Sequence, residues 1–126
     1  MSNDLQEGCV QLFHLGADIA QLNDTKPSTK GFVSKVLLKT LDLRLVLFAM
    51  QAGSQIAKHR SEGRIAVHCL RGSIRLQLPS QARELREDKV LVLDPEIQHD
   101  VQAIEDSVFL LTMVLPRYWA QTPAHC

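Results

Sequence analysis

Metal binding, acid–base work and nucleophilic attack each demand particular side chains. This chain offers five histidines (His14, His59, His68, His99 and His125) and three cysteines (Cys9, Cys69 and Cys126). An imidazole accepts Zn(II), Ni(II), Cu(II) or Fe(II) through its lone-pair nitrogen, and it titrates near neutral pH, so it also suits a general base. The cysteines are odd in number and widely spaced, with no Cys-x-x-Cys pair, which argues against a disulfide framework, a zinc clip or a redox motif. No Gly-x-Ser-x-Gly elbow presents a nucleophile, and no glycine-rich loop precedes a helix to cradle a phosphate. Nor can two carboxylates be placed on one inward face for paired acid–base chemistry. The histidines are therefore where chemistry is expected. His14 lies in the leading segment, and His125 stands beside Cys126 at the chain end, where order is least expected.

The remainder of the composition narrows the function classes. At 126 residues the chain has the length of one domain with one core. Fourteen basic residues balance fourteen acidic ones, so neither nucleic acid nor an anionic membrane is expected as a partner. The start of the chain is polar, with no basic region followed by an apolar core, so no signal peptide is expected. The longest apolar run, residues 45–50, is far too short to span a bilayer. A soluble protein of the reducing cytoplasm is the expectation.

The elements that must hold the histidines read as β from residue 32 onward. Short Val- and Leu-rich runs cover residues 32–40, 44–50, 65–70, 73–78, 82–85, 90–93, 99–103 and 108–114, with Gly, Pro and Asp between them. Strands this short, with no long helical pattern between them, predict a sandwich or barrel. The run at 44–50 is nearly all apolar and predicts a strand buried on both faces. Ahead of them, residues 12–15 suggest a short strand, 18–22 one or two helical turns, and 23–30, with Pro27, a loop. The expected division is a lead-in segment over 1–30, a barrel domain over 31–116 and a tail over 117–126.

Two stretches carry a resemblance. Gly53 is followed by five residues and then His59, and Gly72 closes the same stretch. Asp88, Asp94, Pro95, Glu96 and His99 keep a second spacing. Together these resemble the two motifs of the cupin superfamily, whose first places a second histidine where Ser61 stands and a glutamate where Ile65 stands. In the second, Asp88 and Glu96 occupy glycine positions, Asp94 the proline and His99 the histidine. The resemblance covers residues 32–114 and is nearest to small single-domain bacterial cupins of the RmlC-like type. It implies an all-β, double-stranded β-helix (jelly-roll) barrel with a short N-terminal lead-in, a pocket at one mouth, and a homodimer.

The same resemblance makes His59 and His99 the metal-ligand candidates, facing each other across one cavity. Ser61 is a poor ligand and Ile65 is none. If Ile65 faces inward, alternation sends Val67 and Cys69 inward as well, and Ala66, His68 and Leu70 outward. The expected pocket lining is Ser61, Arg64, Ile65, Val67 and Cys69, an apolar wall with Arg64 at the rim as a possible carboxylate partner. Glu62 belongs to the turn ending at Gly63, and Asp100 should face away from His99. The expected role is a small-molecule-binding or sensory module with an eroded two-histidine pocket. The alternative is a metal-dependent enzyme of dioxygenase or isomerase type, with Fe, Ni or Zn held by His59 and His99 alone. A metal-free isomerase using one histidine as base ranks last.

Overall fold

The computed structural model describes residues 10–27 and 29–115. The short, punctuated apolar runs fold as strands: β1 (Phe32–Lys39), β2 (Leu43–Met50), β3 (Gln55–His59), β4 (Arg64–Arg71), β5 (Ser73–Gln77), β6 (Ala82–Arg86), β7 (Val90–Leu93), β8 (His99–Ala103) and β9 (Ser107–Val114). They form two antiparallel sheets, one of five strands in the order β1-β2-β9-β4-β7, the other of four in the order β3-β8-β5-β6. This is the all-β, jelly-roll arrangement that the resemblance implies.

The core lies between the sheets. Alternation decides its membership. Ile65, Val67 and Cys69 of β4, Ile74 and Leu76 of β5, Val101 and Ala103 of β8 and Phe109 of β9 are all buried there. Phe48 stacks on Phe109 with ring centroids 4.8 Å apart and planes 8° apart. One of the crossings from sheet to sheet is a single residue. Gly72 alone separates β4 from β5, with φ +79°. A Cβ there would lie 2.3 Å from the Asp106 carbonyl oxygen, so only glycine fits. Beside it the buried Ser107 hydroxyl accepts the Ser73 N–H and donates toward carbonyl oxygens, which leaves this switch fully hydrogen-bonded.

The leading segment departs from expectation. Residues 12–15 form no strand: Leu12 is 96% exposed, and Leu15 opens a helix, α1 (Leu15–Asn23). The reason is the spacing of Leu15, Ile19 and Leu22, which puts three apolar side chains on one helical stripe. That stripe packs on the outer face of the five-stranded sheet, against Leu47 and Val108, with Val33, Ala49 and Leu110 around them. Asp18 and Lys35 close the contact with an ion pair of 2.8 Å. The second face of β2 is expected to meet a second sheet or a partner subunit; at Leu47, which is fully buried, this helix covers it instead.

Candidate functional site

β3 and β8 lie side by side at one edge of the four-stranded sheet, and their pairing is irregular. Ile56 sits opposite Val101 in regular register, yet His59 sits opposite His99. Two residues, Ala57 and Lys58, therefore face one, Asp100, which is the signature of a β-bulge. In an unbroken ladder Lys58 would lie opposite His99, and His59 would turn to the other face. The bulge brings the two imidazoles to the same side, with ring centroids 4.4 Å apart and planes tilted by 59°.

The two rings are held alike but live in different media. His59 Nδ1–H donates to the Ala57 carbonyl at 2.9 Å, and His99 Nδ1–H donates to the Ile97 carbonyl at 3.0 Å. A carbonyl can only accept, so each neutral ring carries its proton on Nδ1 and its lone pair on Nε2. His99 is 3% exposed, while His59 is exposed at the sheet edge. Burial, and then the neighbouring His59, push the His99 pKa below the usual imidazole value; its bond to the Ile97 carbonyl and the charge of Asp100 oppose this.

In the other sheet, β4 turns one side into the core. Ile65, Val67 and Cys69 are buried inward at 3%, 1% and 0% exposure. Burial raises the Cys69 thiol to about 11, so it stays protonated and inert as a nucleophile. Ser61 is half-buried; its carbonyl accepts the Glu96 N–H at 2.8 Å and its hydroxyl accepts the Gly63 N–H at 3.2 Å. It thereby ties the two loops of the mouth together. Arg64 does not join the pocket: the alternation that turns Ile65 inward turns Arg64 outward, where its guanidinium pairs with the exposed Asp94. Glu62 is exposed in the turn. His68 lies on the outer face of the five-stranded sheet opposite Val90 and Leu110. Asp100 faces outward, accepting from Gln55 Nε2 at 3.3 Å. His14 is exposed just before α1, and His125 lies outside the described residues.

One charged residue on an inward face was not anticipated. On β2, Phe48 and Met50 contribute to the interior, so the period of two makes Arg44 an interior position as well. The alternation was legible in the sequence, but a charge at the head of an apolar run reads as a strand end.

The donor set does not fit a closed three-ligand metal centre. Among the described residues no group of three His, Cys, Asp or Glu side chains comes together, and the places of a further histidine and a glutamate hold Ser61 and Ile65. Two Nε2 atoms remain, which by themselves leave most of a divalent ion's coordination shell to water. Two concavities of about 410 and 440 Å³ lie elsewhere, one between α1 and the sheet beside Arg71, the other beside Leu78 and Ile97; neither contains a histidine.

The backbone preserves what the residue types do not. Asp88 and Glu96 adopt φ of +71° and +69°, a region that glycine enters freely and L side chains enter at a cost. These are the two positions at which the second motif has glycine.

No protein-family model matches the chain, and no curated protein matches it. Solved structures do. A conserved protein of unknown function from Streptococcus pyogenes superposes with a TM-score of 0.70 at 22% identity, over 86% of this chain and 90% of that one. An RmlC-like cupin from Desulfovibrio desulfuricans gives 0.69 at 20% identity, over 84% and 97%. A cupin superfamily protein from Desulfitobacterium hafniense gives 0.68 at 15% identity, over 75% and 86%.

Proposed function

We propose, from the premise that this chain has the cupin double-stranded β-helix fold, that it is a small-molecule-binding or sensory module whose ligand sits at the barrel mouth against His59 and His99. The observation that carries this reading is the imidazole pair itself. One ring is buried and one exposed, 4.4 Å apart, and the inward side chains of β4 in the other sheet, Ile65, Val67 and Cys69, are apolar and buried. Each Nδ1 is bonded to a carbonyl, which leaves two Nε2 acceptors; with those apolar side chains this is the composition of a small-ligand pocket. The test is a fragment screen by NMR that follows the Cε1–H resonances of both rings. Ligands that shift both resonances saturably in the wild type, and lose affinity for the His59→Ala, His99→Ala double variant, support the reading. A screen that moves neither ring overturns it.

The second reading is a metal-dependent enzyme of dioxygenase or isomerase type with His59 and His99 as the only protein ligands. The paired Nδ1–carbonyl bonds favour it, because metal-bound imidazoles are commonly oriented by such a bond on the other nitrogen. Elemental mass spectrometry of untagged protein decides it. Near-stoichiometric iron, nickel or zinc in the wild type, absent from the double variant, supports a two-histidine centre. Protein that stays empty after incubation with each metal excludes one.

The assembly we infer is a homodimer through the outer face of the five-stranded sheet. Away from α1, and from the Arg64–Asp94 ion pair at one end, that face carries Leu45, Ala66, His68, Val90, Val92 and Thr112, none of them Lys, Arg, Asp or Glu. Val90 and Val92 are 54% and 56% exposed. An uncharged patch can meet its own copy across a two-fold axis without like-charge repulsion. The proposed setting is the cytoplasm, supported by Cys69 as a free thiol; among the described residues no helix is long and apolar enough to cross a membrane.

A further inference from the structure

The geometry points to Arg44 as the receptor for a ligand carboxylate at the histidine mouth, which makes the ligand a small monocarboxylate with an apolar body. The inference rests on the binding reading above and names the class of ligand.

Arg44 lies in register with Met113 of β9, and Met113 lies in register with Ile65 of β4, which pairs in turn with Leu93 of β7. Arg44, Met113, Ile65 and Leu93 thus form one row across the five-stranded sheet. Ile65 and Leu93 are 3% and 6% exposed, and Met113 packs against the interior core. Arg44 itself is half-buried. Its contact in this row is Nη1 to Met113 Sδ at 4.0 Å, and a thioether is a weak acceptor. The ion pairs among the described residues are Lys35–Asp18 and Arg64–Asp94, and Arg44 is in neither. The nearest acid in sequence, Asp42, accepts from the Thr40 hydroxyl instead.

A guanidinium cannot shed its charge, so half-burying one against a thioether is unfavourable without an anion. A carboxylate answers this need best, since its two oxygens match the guanidinium fork. A phosphate dianion would need further cations, and the rest of the row is neutral and apolar. The ligand's body then meets Met113 and Ile65, while the imidazoles of His59 and His99 belong to the other sheet.

The test uses benzoate and benzamide, which share a shape and differ in charge. Each is titrated into the full chain, and NMR follows the Arg44 Nε–H and the two imidazole Cε1–H resonances. Benzoate should shift all three saturably, at least about tenfold more tightly than benzamide, and Arg44→Met should abolish the preference. Arg44→Lys should recover only part of it, because the bidentate fork is lost. Equal responses to both probes, or a preference that survives Arg44→Met in a variant with a wild-type-like spectrum, would overturn the carboxylate assignment and leave the pocket standing. If benzoate shifts Arg44 but neither ring, the assignment to this mouth is wrong. If neither probe shifts the rings, and the fragment screen is also blank, the pocket reading falls with it.

Discussion

His59 and His99 face each other across the β3–β8 ladder with their ring centroids 4.4 Å apart, yet one is exposed and the other is 3% exposed. The two rings therefore differ in burial, and charging His99 means placing a cation in the interior.

That asymmetry sets a pH dependence. The His99 pKa is lowered in the folded state, so the unfolded chain binds the extra proton more readily. The stabilisation is fully present above the unfolded value, roughly 6.5, and is lost as pH falls through the lower folded value. Urea unfolding in chelator should show stability declining below about pH 6.5. His99→Gln should flatten this part of the profile. A wild-type curve flat from pH 8 to 5 would contradict the burial argument.

Ile65 stands where the cupin motif has glutamate, buried on the inward side of the sheet that does not hold the histidines. Ile65→Glu should cost about 2–4 kcal/mol without metal, as an unpaired buried carboxyl. It should also tighten Ni(II) or Zn(II) binding at least ~10-fold by adding a third ligand. Calorimetric titration and thermal unfolding with and without metal measure both effects. Metal affinity unchanged from the wild type would mean that position 65 does not address the imidazole pair.

Asp88 and Glu96 hold positive φ without being glycine. Asp88→Gly and Glu96→Gly should each stabilise the fold by about 1 kcal/mol, since strain is relieved and the backbone N–H bonds to Cys69 and Ser61 are kept. Thermal melts should rise by several degrees for each. Alanine at either site should give no such gain.

Gly63 and Gly53 are expected to differ in how much a substitution costs. A Cβ on Gly63 would lie 1.9 Å from the Val114 carbonyl oxygen, while one on Gly53 meets nothing within 4 Å. Gly63→Ala should lose more than ~3 kcal/mol or fail to fold. Gly53→Ala should lose only the ~1–2 kcal/mol of a left-handed backbone at φ +84°.

The dimer is tested by charge. Val92→Lys places an ammonium on the outer sheet face, where Val92 lies opposite Ala66. Sedimentation velocity should show a wild-type dimer and a folded monomeric variant. A wild type that is monomeric at every concentration would end the dimer proposal.

Much of the fold was legible because strand alternation and turn residues are local signals. Val90–Leu93 and His99–Ala103 form as expected to the residue, since the residues at their ends already read as turns. β3 was not expected: Gln55–His59 has one half-buried residue and four exposed ones, so no apolar period marks it. Its bulge depends on β8, a partner distant in sequence. Leu12 to Leu15 misled because four residues hold too little period to separate strand from helix, and Ile19 and Leu22 decide the matter from outside that window. At the site, the histidine positions could be read from spacing. Arg64 lies next to Ile65 and so turns to the other face, whereas Arg44, which was not considered, joins the row of Ile65 only through the β2–β9–β4 register.

The bulge in β3 also bears on how this strand can change over time. Adding or losing one codon within a regular strand turns over every side chain beyond that point. Here the irregularity is confined to Ala57 and Lys58, and His59 is already in step with His99. Dropping either residue would leave an unbroken ladder with the imidazole still opposite its partner. β3 can thus vary in length by one without exchanging its inner and outer faces, a freedom that the regularly paired β5 and β6 lack.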